Sequence, residues 1–135
     1  MVAAATVVLT TGTLVTGTGP NSGDARADRL SFELEAIARV HGVTVWVLVA
    51  VTLALVLRLR SLGDTRWGSW LLAAMVTQGG IGYLQFSLGV PPGLVAVHIV
   101  GAMVVWCGTL LFHLGLSSRS PGTDDQLVTA GAAAS

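Results

Sequence analysis

The chain has no lysine and a single cysteine, and only 10% of its 135 residues are charged. A soluble domain of this length usually carries about 25% charge. The seven basic and seven acidic side chains cancel to a net charge of +0. That removes the basic footprint that nucleic-acid binding needs, so a DNA or RNA role is excluded. One cysteine, Cys107, excludes an internal disulfide, a Cys-x-x-Cys pair and a cysteine-rich zinc site. What fills the chain instead is apolar: 53% of residues are hydrophobic and the mean hydropathy is +0.76. Such a composition asks for lipid rather than water as its solvent.

A membrane-spanning helix needs roughly 17 to 25 mostly apolar residues. The charged residues divide the sequence into four such stretches, about 1–18, 36–57, 67–88 and 93–116. The expected fold is therefore all-α, an integral membrane four-helix bundle formed by residues 1–116, followed by a disordered cytoplasmic tail over 117–135. The first stretch is rich in Thr and Gly. Threonine hydroxyls that bond back to a carbonyl one turn earlier make such a helix acceptable inside a bundle. A secretory signal is the competing reading of this stretch, because Ala25, Arg26 and Ala27 place a small-x-small pattern after it, although no basic region precedes it.

Short cytoplasmic loops carry an excess of basic residues. Arg58, Arg60 and Arg66 surround Asp64 alone, which places that loop inside, with Trp67 and Trp70 as interfacial anchors. The mixed loop before residue 36 and the uncharged turn from Gly89 to Pro92 then lie outside, and both termini lie in the cytoplasm. Two hairpins result, each a helix of small residues, Thr11-Gly12-Thr13 or Gln78-Gly79-Gly80, followed by a helix with a histidine near its outer end.

Ionisable residues inside a membrane helix are costly enough to make function the default expectation. His41 and His98 each lie five residues into their stretches, about 7 to 8 Å below the outer boundary at the helical rise. Two imidazoles are too few for zinc, which takes four ligands. Haem iron already has four equatorial nitrogens and needs two axial ones. A non-covalent haem b is thus the specific expectation, since no Cys-x-x-Cys-His is present. The plain alternative is that each histidine donates a hydrogen bond between helices. Gly42 and Gly101, beside the histidines, would admit a flat ring. Gln78 and Gln85 share one face of the third stretch with Gly82, and would bond a histidine nitrogen or a propionate, or simply join helices. Arg39 would pair with a propionate or reach lipid headgroups. His113 reads as an inner-interface residue, Cys107 as a small apolar filler, Trp46, Met103 and Trp106 as core, and Ser69, Ala73 and Thr77 as a close-packing seam.

These residues carry a family resemblance. Thr13-Leu14-Val15-Thr16-Gly17-Thr18-Gly19-Pro20 followed by Gly23-Asp24, then His41-Gly42, then Gln78-Gly79-Gly80-Ile81-Gly82-Tyr83 with His98 downstream, resembles haem A synthase, the cytochrome oxidase assembly enzyme. The likeness runs from about Thr11 to Leu116 and is to the carboxy-terminal half of bacterial members. It implies half of an eight-helix fold, with His41 and His98 at the positions that hold a cofactor haem b in an oxidoreductase of haem A biosynthesis. It also implies haem O as substrate, its methyl group oxidised to a formyl in the other half, a bacterial cell-membrane location, and a complementary half or a homo-oligomer as partner. The chain departs from the family's amino-terminal half. Ala38 stands three residues before His41, so there is no Glu-x-x-His, Asn21 follows the Gly-Pro where relatives carry histidine, and no outer-loop cysteine is present. A non-catalytic haem-binding assembly protein and a b-type electron carrier are the alternatives these departures leave.

Overall fold

The computed structural model describes residues 1–20, 22, 28–60 and 66–117, with side chains to residue 115. The expected tail from 118 onward, the Ala25–Ala27 pattern, Asn21 and most of the loop that carries Asp64 lie outside the described residues. The described chain is all-helical: α1 (Val2–Thr18), α2 (Leu34–Leu59), α3 (Arg66–Ser87) and α4 (Pro92–Ser117). Helices α2 and α4 have 26 residues each, about 39 Å at the helical rise, and are long and apolar enough to cross a membrane.

Each helix has a local reason to form and to stop. In α1 the hydroxyls of Thr6, Thr10, Thr16 and Thr18 donate to the carbonyls of Val2, Thr6, Gly12 and Leu14, and that of Thr13 donates to Thr10. Every one of these polar groups is thereby silenced within the helix. The helix ends where the Gly19 N–H donates to the Val15 carbonyl at 3.0 Å. In α2, Glu35 in the first turn and Arg58 in the last complement the helix dipole. Helix α3 closes into a turn with left-handed backbone at Gly89 and Val90, whose N–H donates to the Gln85 carbonyl at 2.7 Å.

The helices pack as a ring: α1 on α2, α2 on α3, α3 on α4 and α4 on α1, while α2 and α4 stand on a diagonal without close backbone approach. The core occupies the half of the bundle nearest Met1 and Leu59. There Ala5, Leu48, Leu71 and Met75 interlock, with Trp106 and Phe112 against them, and Thr52 and Thr109 are fully buried. Much of the described outer surface is apolar. Trp46 and Tyr83 are 74% and 79% exposed, and few residues of α2 or α4 are covered.

Two expectations about packing are corrected. Ser69, Ala73 and Thr77 face outward, and the buried face of α3 is instead Gly68, Leu71 and Met75. The reason is rotational: side chains three or four apart share a face, and Gly68, Leu71 and Met75 form the face turned to the core. Trp46 and Met103 are also outward, while Trp106 does join the core.

Gly68 marks the tightest approach of α3 to α2. A Cβ there would lie 2.5 Å from Val56 Cγ2 and 3.3 Å from Phe112 Cε2. Overpacking of this kind costs about 1–3 kcal/mol. Gly68→Ala should therefore lower the unfolding temperature in detergent. Gly79→Ala, whose Cβ would meet nothing within 4 Å, should leave it unchanged or slightly raised. Equal stability of the two variants would show that the helices are not held this closely.

Candidate functional site

Above the packed core, towards the ends of the helices at Gly19 and Pro92, the interior turns polar. His41 is half-buried on α2, and its ring lies on the bare backbone of Gly12 in α1. A Cβ at Gly12 would come within 3.2 Å of His41 Cε1. His98 is half-buried on α4 and lies in the same way on Gly82 of α3, where a Cβ would be 3.1 Å from Cε1. In both hairpins the second helix lays an imidazole on a glycine of the first. The repeat extends into the core: Thr52 follows His41 at the same spacing as Thr109 follows His98, and both threonines are fully buried.

The two histidines therefore come from diagonal helices, α2 and α4. Their surroundings differ. The Thr11 hydroxyl oxygen lies 3.0 Å from His41 Nδ1 and 3.1 Å from the Thr44 hydroxyl oxygen, and Thr44 donates to the His41 carbonyl at 2.8 Å. Around His98 no such partner stands: its Nδ1 is buried without a hydrogen bond. The residue before Gly82 is Ile81 where Thr11 precedes Gly12, and the residue three after His98 is Gly101 where Thr44 follows His41.

The remaining expected site residues fall into three groups. Gln78, Gln85 and Gly82 share the half-buried face of α3, and the Oε1 atoms of both glutamines are buried without partners. The Gln78 amide occupies the space that a Cβ of Gly101 would need, so Gly101 accommodates a glutamine side chain. Gly42 is open, with nothing within 4 Å of a Cβ. Arg39 is exposed and pairs with Glu35 one turn earlier on α2. An exposed pair of this kind contributes little to stability. Cys107 is exposed and lines a shallow apolar cavity of about 500 Å³ with Val100, Met103, Val104, Gly108 and Leu111. That cavity lies along α4 and none of its lining residues belongs to the histidine pair. His113 is exposed near the end of α4.

Among the described residues no three His, Cys, Asp or Glu side chains gather into a metal-holding group. The arrangement is a pair of imidazoles, with unpartnered amide oxygens beside it. A pair suits a metal that brings its other ligands with it. Sequence reasoning found both histidines and both glutamines but missed Thr11, Thr44, Gly12 and Gly82 as their partners. The only trace of these was the small-residue character of the helix preceding each histidine. Compared with protein-family models, with characterised proteins and with solved structures, the chain matches none.

Proposed function

We propose that this chain is a multi-pass membrane protein that holds one haem b between His41 and His98. The observation that carries the reading is the repeated seat: two histidines on diagonal helices, each laid on a glycine of its hairpin partner. The residues present fit the group. Gly42 leaves the backbone open next to His41, and the buried oxygens of Gln78 and Gln85 have no other partner. His41 and His98 would supply the axial nitrogens. Gln78 and Gln85 would offer amide groups to the haem edge or to a ring nitrogen, and Arg39, once released from Glu35, would reach a propionate. A haem b with two histidine ligands transfers single electrons and leaves no iron position open for oxygen.

The lipid setting is supported by the exposed apolar surface of α2 and α4. An aqueous monomer rarely exposes so continuous an apolar face. With Arg58, Arg60 and Arg66 on the cytoplasmic side, both termini would be cytoplasmic in a bacterial cell membrane. Within that setting the motifs favour an oxidoreductase like haem A synthase, this chain supplying the electron-transferring half. The half that oxidises haem O would be contributed by a complementary chain or a second copy. Ala38, in place of the glutamate of a Glu-x-x-His motif, favours a second reading: a haem-binding assembly protein or b-type electron carrier without its own catalysis.

Purified in detergent and supplied with haem, the protein should show the visible spectrum of a low-spin haem b, and His41→Ala and His98→Ala should each lose it. A colourless wild type, or an unchanged spectrum in both variants, overturns the haem reading. Haem O supplied together with a complementary half should yield haem A by chromatography; haem binding without that product leaves the carrier reading. The seats give an independent check. Gly12→Ala and Gly82→Ala should weaken haem binding about tenfold, the scale of losses when ligand orientation is disturbed. Gly79→Ala should not weaken it.

A further inference from the structure

We propose that Thr11 is a positioning residue that fixes His41 as the Nδ1–H tautomer, leaving Nε2 free as the ligating nitrogen, and that His98 has no hydroxyl in the equivalent place. The inference rests on the haem reading for its ligand but on hydrogen bonding alone for the tautomer. A threonine hydroxyl has one hydrogen and two lone pairs. The Thr11 oxygen lies 3.0 Å from the Val7 carbonyl and 3.0 Å from the Val8 carbonyl, both of which only accept. Its hydrogen is spent on them, as Thr6, Thr10, Thr13, Thr16 and Thr18 spend theirs on carbonyls of the same helix. The Thr44 hydrogen goes to the His41 carbonyl. What Thr11 offers His41 Nδ1, 3.0 Å away, is a lone pair, so the hydrogen of that contact belongs to the imidazole.

A neutral imidazole carries one N–H. With that hydrogen on Nδ1, Nε2 is bare, and its direction is set by Gly12 beneath the ring and Thr11 at its side. An acceptor at the distal N–H orients a ligating histidine and raises its basicity. The second hairpin retains the glycine seat and lacks the hydroxyl, since Ile81 stands where Thr11 would and His98 Nδ1 is unpartnered. The two imidazoles of the pair are thus inequivalent: each lies near a backbone carbonyl of the preceding helix, Val8 for His41 and Gln78 for His98, and only His41 adds a hydroxyl at Nδ1.

The test uses the full chain in detergent, isotopically labelled at histidine nitrogen and free of haem, above the pH at which its imidazoles are neutral. The His41 signals, assigned by their loss in His41→Gln, should show a protonated Nδ1 and a bare Nε2. Thr11→Val should shift them towards a mixture, Thr11→Ser should restore the wild-type pattern, and the His98 signals should follow neither change. With haem bound, Thr11→Val should raise the reduction potential and weaken binding about tenfold, and Thr11→Ser should reverse both. A wild-type His41 protonated at Nε2 overturns the proposal, and that reading requires no variant to fold. Unchanged tautomer and potential in a folded Thr11→Val overturn it as well. A wild type that binds no haem sinks the haem reading alone, because the nitrogen spectrum still decides the role of Thr11.

Discussion

The arrangement depends on the missing side chain of a glycine. Gly12 and Gly82 let each hairpin close until the imidazole of the second helix rests on the backbone of the first, at a separation where a Cβ would press on the ring carbon. Close approach without a side chain is what glycine offers a helix, in return for roughly 0.5–1 kcal/mol of propensity. From that contact the rest of the upper bundle follows. The ring cannot rotate into the space below it, the neighbouring helix supplies whatever polar group meets its nitrogen, and the diagonal partner is left facing the other hairpin. Here close approach at a glycine serves to seat two ionisable side chains.

The bundle is divided along its length between two kinds of packing. Towards Met1 and Leu59 the contacts are apolar and close: Ala5, Leu48, Leu71, Met75, with Gly68 under Val56. Towards Gly19 and Pro92 the interior holds histidines, glutamines and threonines, several of whose atoms lack partners. A buried unpartnered polar group costs about 1–3 kcal/mol, so such a cluster does not add to stability. The apolar cluster below draws on all four helices, with Ala5 from α1, Leu48 from α2, Leu71 and Met75 from α3, and Trp106 and Phe112 from α4. The site is thus held from beneath by packing.

The helices were legible in the sequence because charge is so scarce that its few positions mark the ends of apolar runs. Arg58, Arg60 and Arg66 bracket one connection, and Glu33 and Glu35 stand at the start of α2. The histidine pair was legible because each lies at the same depth in its own run. Their partners were not. Gly42 and Gly101 looked apt as neighbours in sequence, yet the glycines that touch the rings come from the preceding helix, and Gly79 and Gly80 face open space. Which face of a helix points inward depends on a rotation that apolarity all round does not encode. The same gap misplaced Ser69, Ala73 and Thr77. In α1, six threonines in one short helix look alike until the structure shows which one meets a histidine.

The two hairpins agree where backbones must fit and disagree where polar groups must be chosen. Glycine seats, histidines and deep threonines recur in both. Thr11 and Thr44 in the first give way to Ile81 and Gly101 in the second, and the room vacated by the threonine is filled by the Gln78 amide. The departure from symmetry lies at the nitrogens, which is where a difference between the two histidines would have chemical effect.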